Sequence, residues 1–178
     1  MLEHTSISFS IFDEKRIELA KQGFDGNSEV IRFLGLQKTP WHSEDELPFD
    51  DALDTLEMLK ERGYKLGIIA NQSAGTAQRL ENWGLLKCFD VMAASAELGV
   101  AKPNKSIFEK AFEMAKCQPH NSVMVGDRLD NDLIPAKALG MRTIWIRKGL
   151  SRCTNIDLGS NIADWTIDNL SDLKEILK

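Results

Sequence analysis

The stretch VMVGDRLDND, residues 123–132, decides how the rest of the chain is interpreted. Three apolar residues lead into Gly126 and Asp127, and a second carboxylate, Asp132, follows five positions after the first. The apolar run is typical of a buried parallel strand, and Gly126 allows a tight turn and the close approach of a ligand. Asp127 is therefore expected at the carboxyl end of a strand, where open α/β sheets bind their ligands.

The two carboxylates of this stretch predict a metal site. An apolar helical run, residues 133–139, follows Asp132, so that Asp127 and Asp132 can face one crevice. Carboxylate oxygens are ligands that Mg²⁺ prefers. The alternative is that residues 130–132 only cap the helix, because Asp and Asn are favoured at helix starts.

Composition limits the class of protein. The chain has 178 residues, of which 43% are hydrophobic, and this suits one domain of ordinary size or one domain with a small appendage. A net charge of −5 argues against a nucleic-acid partner, which requires a basic face. Three unclustered cysteines indicate reduced thiols and no zinc site. With neither a signal peptide nor a membrane-spanning apolar run, the sequence predicts a cytoplasmic protein without a membrane partner.

Predicted strands and helices alternate from residue 50 onward. The expected strands are 65–70, 90–93, 122–126, 143–146 and 163–167. The expected helices are 50–63, 75–83, 105–116, 132–139 and 170–177. This alternation predicts βαβ units with right-handed crossovers and a fold of the α/β class, a three-layer doubly wound parallel sheet.

Residues 1–47 allow two interpretations. Apolar residues at 7, 9 and 11 alternate with serines, which is typical of a strand, whereas residues 12–20 carry apolar side chains at near-helical spacing. Ser28 is a candidate cap for a short second helix. We predict that residues 1–47 are mostly helical and end in an acidic, proline-bounded linker at 39–48.

Three segments of the chain, in order, resemble the motifs of the haloacid dehalogenase-like (HAD) superfamily, and its phosphatase members most. Residues 66–71 (LGIIAN) are similar to the second motif, 99–108 (GVAKPNKSIF) to the third and 126–132 to the fourth. The resemblance covers more than half of the chain. It implies a HAD-like Rossmannoid core at 48–178, preceded at 1–47 by a partial helical cap or by a substitute first strand.

The resemblance implies the chemistry of a phosphohydrolase that forms an aspartyl-phosphate. Mg²⁺ held by Asp127 and Asp132 would bridge the nucleophile and the phosphoryl group. Lys102 would supply a fixed positive charge, so Lys102 and Asp127 are implied to be catalytic. The alternative for Lys102 is a solvated surface lysine. The implied cofactor is Mg²⁺ and the implied substrate is a small phosphorylated metabolite.

The second motif is implied to bind the substrate phosphate. The residues concerned are Asn71, Gln72 and Ser73, together with Lys102. The chain departs from the family here, since Ala70 stands where Ser or Thr is usual. Ser73, or backbone N–H groups at the start of the next helix, would then substitute for the missing hydroxyl. The alternative for Asn71 is a simple turn residue.

The first motif of the family, an apolar strand that ends in D-x-D, is not found before Asn71. In the nearest imitation, residues 10–15, Asp13 would be the nucleophile and Lys15 would replace the second aspartate. Otherwise the N-terminus looks truncated and lacks the nucleophile. Because that strand is central in the family's sheet, we expect its place to be filled by residues near 5–12, a partner chain or an upstream segment. An exposed sheet edge would also favour a homodimer.

Three functions follow from these observations. The first is a Mg²⁺-dependent phosphohydrolase of the HAD type. The second is a catalytically defective remnant of that fold, which binds metal or phosphate without turnover and is favoured by the missing D-x-D. The third is an unrelated flavodoxin-like binding domain, in which residues 123–132 are only a capped helix.

Overall fold

A computed structural model describes residues 7–37 and 46–178. The strands are β1 Gly67–Ala70, β2 Val91–Ala94, β3 Val123–Gly126, β4 Arg142–Ile146 and β5 Trp165–Ile167. The helices are α1 Phe9–Lys21, α2 Gly26–Phe33, α3 Ala52–Glu61, α4 Thr76–Asn82, α5 Ser95–Leu98, α6 Lys105–Ala115, α7 Ile134–Ala138, α8 Ile156–Ser160 and α9 Leu173–Ile176. Within the described ranges, no helix combines the length and the apolar character needed to cross a membrane.

The side chains of the strands alternate between two helical layers. On β3, Met124 packs in the cluster of α6 and α7, whereas Val123 and Val125 pack against α3 and α9. Ile68 of β1 packs in the cluster that contains Leu80 of α4. Successive residues of a strand point to opposite faces, so a strand that is covered on both sides consists of apolar residues throughout. The predicted three-layer α/β arrangement is confirmed.

All strand pairs are parallel, but the strands form two sheets. β1 pairs with β2, and the second sheet has the order β3-β4-β5. Among the described residues, β1 pairs with β2 alone and β3 pairs with β4 alone, so one edge of each of these strands is unpaired. One apolar cluster nevertheless joins Ile69, Ala93 and Met124, so a single core spans both sheets. The interruption lies at the place that the resemblance assigns to the family's first strand.

The N-terminal segment is helical. Residues 9–21 form α1, so the strand interpretation of residues 7–11 is wrong and the helical interpretation of 12–20 is confirmed. The Ser8 side chain caps α1 by accepting a hydrogen bond from the Ile11 N–H at 3.3 Å. The alternation that suggested a strand covers only the entry into a helix, and three residues are too few to define a period.

Helix α2 is capped by Asp25, where the sequence suggested Ser28. The Asp25 carboxylate accepts hydrogen bonds from the Asn27 and Ser28 N–H groups at 3.2 Å, and the Ser28 hydroxyl donates to it at 2.8 Å. We refer to α1 and α2 as the helical pair. The linker predicted at 39–48 lies mostly outside the described residues, and the domain division at 47/48 stays a prediction.

The later helices differ from prediction mainly at their ends. The helix predicted at 132–139 begins earlier, as a π-helical turn at Leu129–Leu133, and continues as α7. The helix predicted at 170–177 is a 3₁₀ turn, Leu170–Asp172, followed by α9. The sequence does not predict α5 and α8, because four or five residues are too few to show a helical period.

Asp90 ties the end of α3 to the start of β1. Its carboxylate accepts hydrogen bonds from Lys60 Nζ at 2.7 Å and from the Leu66 N–H at 2.8 Å. The bond from Lys60, and then that from Leu66, hold the pKa of Asp90 below its ordinary value. A carboxylate with a lowered pKa in the folded state stabilises the protein above the pKa of the unfolded chain, and this stabilisation disappears as the pH falls through the folded pKa.

We therefore expect Asp90→Asn to lower the free energy of unfolding by about 1 kcal/mol at neutral pH. The difference from the wild type should shrink as the pH falls below about 4, the ordinary pKa of an aspartate, and vanish only below the lowered pKa of the folded Asp90 carboxyl group. Urea denaturation of both proteins across this range measures the effect. Glu57→Gln, which removes the exposed pair with Lys87, is the control and should change stability little. A difference that persisted at low pH would contradict the prediction.

Candidate active site

The residues predicted to bind phosphate and metal meet at one edge of the sheets. Asn71 directly follows β1, Asp127 directly follows β3, and Lys102 lies in the loop between α5 and α6. Parallel strands present their carboxyl ends on the same side, so the sequence places these residues together once the strands form. Hydrogen bonds connect Asn71 to Lys102 and Lys102 to Asp132.

Lys102 and Asp132 form a buried ion pair. Lys102 Nζ lies 2.6 Å from Asp132 Oδ1, and the two side chains are only 12% and 5% exposed. The other oxygen, Asp132 Oδ2, accepts the Arg128 N–H at 3.0 Å. Charges are removed from water at high cost unless they are paired. The interpretation of Lys102 as a solvated surface lysine is therefore wrong.

Gly126 makes room for the Asp132 side chain. An ideal Cβ built on Gly126 would lie 2.4 Å from Asp132 Cβ and 2.6 Å from Asp132 Oδ2, far closer than real atoms approach. The sequence suggested that this glycine lets a ligand approach. In the structure the group that approaches is Asp132, which folds back over the end of β3.

Asn71 holds the backbone of Lys102 at two points. Its side-chain Oδ1 accepts the Lys102 N–H at 2.7 Å, and its Nδ2 donates to the Lys102 carbonyl at 2.9 Å. This clamp fixes the loop that carries the lysine, so the interpretation of Asn71 as a simple turn residue is wrong. A contact with phosphate would use the second N–H of the Asn71 amide, and that role stays a prediction.

Gln72 is held by neighbours that the sequence did not indicate. Its N–H donates to the Ser95 hydroxyl at 3.0 Å, and its side-chain amide donates to Glu46 at 3.2 Å and accepts from Arg79 at 3.3 Å. Its amide is thus engaged with Glu46 and Arg79. Ser73 is exposed. Substrate contacts by Gln72 and Ser73 stay predictions.

Asp127 lines a cavity of about 160 Å³ between its own loop and the helical pair. Asp127 as a whole residue is exposed to solvent. Its carboxyl group is nevertheless surrounded by protein atoms, which displace water from it. This desolvation raises the pKa of Asp127, and the nearby Asp132 carboxylate raises it further. Two crowded carboxylates favour a bound cation, because a positive charge removes their mutual repulsion.

The carboxylates fit a Mg²⁺ site of the kind that uses one or two protein ligands and keeps several waters. Asp127 is the carboxylate that lines the cavity. Both oxygens of Asp132 already accept hydrogen bonds, from Lys102 and Arg128, although each has a further lone pair. Within the part of the chain that the structure describes, no three His, Cys, Asp or Glu side chains gather as a metal cage. Metal binding by Asp127 and Asp132 stays a prediction.

Asp13 does not lie at the end of a strand. It lies within α1, where its carboxylate pairs with Arg16 of the same helix. Across residues 7–37 and 46–178, the only ion pair that involves Asp13 is this one. The prediction of a strand that presents Asp13 as a nucleophile is wrong. The predicted catalytic role of Asp13 therefore loses its structural basis.

Trp145 fixes the loop of Asp127 through a hydrogen bond from the buried side. The residue is fully buried, and its indole Nε1–H donates to the Asp127 carbonyl at 3.0 Å. Gly159 packs on the indole ring, since a Cβ built there would lie 2.3 Å from ring atoms. The sequence signalled only an aromatic residue in a strand, so this contact could not be predicted.

We expect Trp145→Phe to lower the free energy of unfolding by about 2 kcal/mol, because it removes the donor to a buried carbonyl and leaves a gap beside Gly159. Trp83→Phe is the matched control. Trp83 is partly exposed and packs at the edge of the core, so its loss should cost less than about 1 kcal/mol. Denaturation curves of the two variants provide the measurement. Equal effects of the two variants would contradict this account of Trp145.

Comparison with known proteins identifies the family. The family model of haloacid dehalogenase-like hydrolases matches residues 15–146. A glyceraldehyde 3-phosphate phosphatase of Methanothermobacter thermautotrophicus is 38% identical over 132 residues, which are 73% of this chain and 58% of that protein. The pyrimidine 5'-nucleotidase YjjG of Escherichia coli is 35% identical over 133 residues, 73% of this chain and 56% of that protein. The chain thus spans slightly less than 60% of the length of either relative.

Solved structures agree with this assignment. A HAD phosphatase from Thermococcus onnurineus superimposes with a TM-score of 0.66 at 29% identity, over 94% of this chain and 78% of that one. A predicted phosphoglycolate phosphatase from Haemophilus somnus shares the fold, with a TM-score of 0.69 at 20% identity over 92% and 81% of the two chains. The flavodoxin-like alternative is therefore wrong. The chain belongs to the haloacid dehalogenase-like hydrolases.

Proposed function

We propose that this protein is a Mg²⁺-dependent phosphohydrolase that acts on a small phosphorylated metabolite through an aspartyl-phosphate intermediate, and that it works in the cytoplasm. The observation that carries the proposal is the buried pair of Lys102 and Asp132 beside Asp127. A lysine held at a sheet edge by a carboxylate and a backbone clamp is a fixed positive charge, which is what a phosphoryl group requires. The relatives named as phosphatases and a nucleotidase support the substrate class.

Each residue of the site has a separable task. Lys102 donates one N–H to Asp132 and has two further N–H groups with which to bind phosphate oxygens. Asn71 fixes the position of Lys102, and Trp145 fixes the position of Asp127. Mg²⁺, when bound at Asp127, would neutralise charge on the phosphoryl group. The protein itself therefore orients the phosphate and balances its charge.

The nucleophile is expected between β1 and β3. A parallel strand placed there would pair with both open edges and would end between Asn71 and Asp127. An aspartate at that end would lie next to the charge of Lys102. We propose that such a strand comes from outside the described residues, in this chain or in a partner chain, which includes a second copy. A homodimer is one way to fill the gap.

A second candidate function is a catalytically defective member of the family that binds metal or phosphate without turnover. Two observations favour it. No D-x-D precedes Asn71, and Asp13 lies within a helix. On this alternative the pair of Lys102 and Asp132 serves binding and stability alone.

The hydrolysis of an aryl phosphate by the 178-residue chain, with and without Mg²⁺, separates the two candidates. For the active enzyme we expect turnover that requires Mg²⁺ and falls at least about a hundredfold in Asp127→Asn. Asp13→Asn should retain activity, and Asp157→Asn, on α8, is the control. A folded chain without turnover, in which phosphate still raises the melting temperature, would be the binding remnant. A folded chain that shows no turnover and does not bind phosphate would refute both candidates.

A further inference from the structure

Arg128 links the loop of Asp127 to the helical pair. Its Nη1 lies 2.5 Å from Oδ2 of Asp25, the residue that caps α2. Its Nη2 and Nε contact the Asp130 carboxylate at 2.5 and 2.9 Å. One guanidinium group therefore has two carboxylate partners, one within its own loop and one across the cavity.

Among the described residues, the helical pair is also attached on a second side, where α1 contacts the turn Gly149–Cys153 and the residues that follow it. The Asn155 N–H donates to the Lys21 carbonyl at 3.3 Å, and Gly23 faces Leu158, whose Cδ1 lies 3.4 Å from a Cβ built on that glycine. These contacts to the α8 region are a backbone hydrogen bond and an apolar contact. The pair of Arg128 and Asp25 is charged and partly exposed, with exposed fractions of 28% and 27%. A partly exposed ion pair opens more easily than backbone hydrogen bonds and apolar packing, so the helical pair is expected to pivot on residues 149–158.

The cavity between these attachments is small. It is lined by Phe24, Asp25 and Asn27 on one side and by Asp127, Arg128 and Asp130 on the other. Its volume is about 160 Å³. Pockets for larger organic ligands begin at roughly 300 Å³. With the ion pair closed, the cavity is thus smaller than a pocket for a larger organic ligand.

We propose that the ion pair of Arg128 and Asp25 is a latch that holds the helical pair over Asp127 and thereby restricts the site to small phosphorylated substrates. Arg128 is on this view a positioning residue that sets the size of the cavity. The substrate part rests on the proposed function. The latch itself is a property of the folded chain and is tested without turnover.

Two substitutions on the same guanidinium test the latch. Asp25→Asn removes the partner across the cavity and keeps a good helix cap, whereas Asp130→Asn removes the partner within the loop. We expect Asp25→Asn to speed the hydrogen exchange of the α2 amides roughly two- to fivefold, the range that a partly exposed ion pair supplies. Asp130→Asn should leave that exchange unchanged. Equal effects of the two variants, or no effect of Asp25→Asn, would overturn the latch.

A double-mutant cycle guards against a general loss of structure. Arg128→Gln should speed the exchange of α2 by the same factor as Asp25→Asn, and the double variant should add nothing, because both changes break one contact. Additive effects would mean that each residue acts separately, and would overturn the latch.

Substrate choice is tested with glycerol 3-phosphate and uridine monophosphate. Asp25→Asn should raise the ratio of kcat/KM for the nucleotide to that for the smaller ester by roughly two- to fivefold, in step with opening. Glu29→Gln, which breaks a pair with Arg32 inside α2, is the control and should leave the ratio unchanged. Faster exchange with an unchanged ratio would overturn the size restriction. A wild type without turnover on either ester would refute the proposed function, and the exchange experiment would still decide the latch.

Discussion

Lys102→Met is expected to lower the free energy of unfolding by about 3 to 5 kcal/mol, because it leaves the buried Asp132 carboxylate without a counter-charge. Asp132 Oδ1 would lose its contact with Lys102 Nζ at 2.6 Å, in a side chain that is only 5% exposed. The backbone N–H of Arg128 would remain as its partner. Turnover, where the wild type shows it, should be lost as well, because the fixed charge for the phosphate is gone.

The controls for Lys102→Met separate charge from packing. Lys110→Met, on α6, removes a lysine whose Nζ, among the described residues, donates to the neutral Leu98 carbonyl at 3.2 Å and to no carboxylate. This change should cost about 1 kcal/mol. The double variant Lys102→Met with Asp132→Asn should recover more than half of the lost stability, since a neutral amide needs no cation and still accepts from Arg128. Urea denaturation measures all of these variants. A double variant as unstable as the sum of its singles would contradict the charge argument.

The sequence predicts residues that meet in this site, but it does not predict the contacts between them. The strands were predictable because each is a short apolar run with a polar residue at its carboxyl end, as at Asn71 and Asp127. The spacing from Asp127 predicts Asp132, and motif order adds Lys102. Their direct contact spans 30 positions of the chain and depends on two loops, so no local pattern reports it.

The N-terminal segment shows the opposite case, in which local pattern misled. A strand period over residues 7–11 competed with a helical period over 12–20, and the longer pattern was right. The pair of Arg128 and Asp25 joins positions 103 residues apart and has no sequence signal. The gap between β1 and β3 was predictable only through the family, because the missing partner of a strand leaves no mark in the strand's own sequence.

Gly126→Ala is expected to damage both stability and the site, because it places a methyl group where Asp132 lies. The new Cβ would be 2.4 Å from Asp132 Cβ, an atom bonded directly to the backbone, so the turn itself has to shift. Overpacking alone costs about 1 to 3 kcal/mol, and displacement of Asp132 adds part of the cost of breaking its buried pair with Lys102. We expect a loss of about 3 kcal/mol or more.

Gly67→Ala is the matched control for Gly126→Ala. Gly67 lies in β1, has no positive φ, and a Cβ there would meet Val91 at 3.5 Å, which is ordinary contact. Its substitution should change stability by less than about 1 kcal/mol. Because Gly126→Ala and Lys102→Met both act through Asp132, their effects in urea denaturation should be smaller together than their sum. Equal losses at the two glycines, or simple additivity with Lys102→Met, would show that position 126 does not act by making room for Asp132.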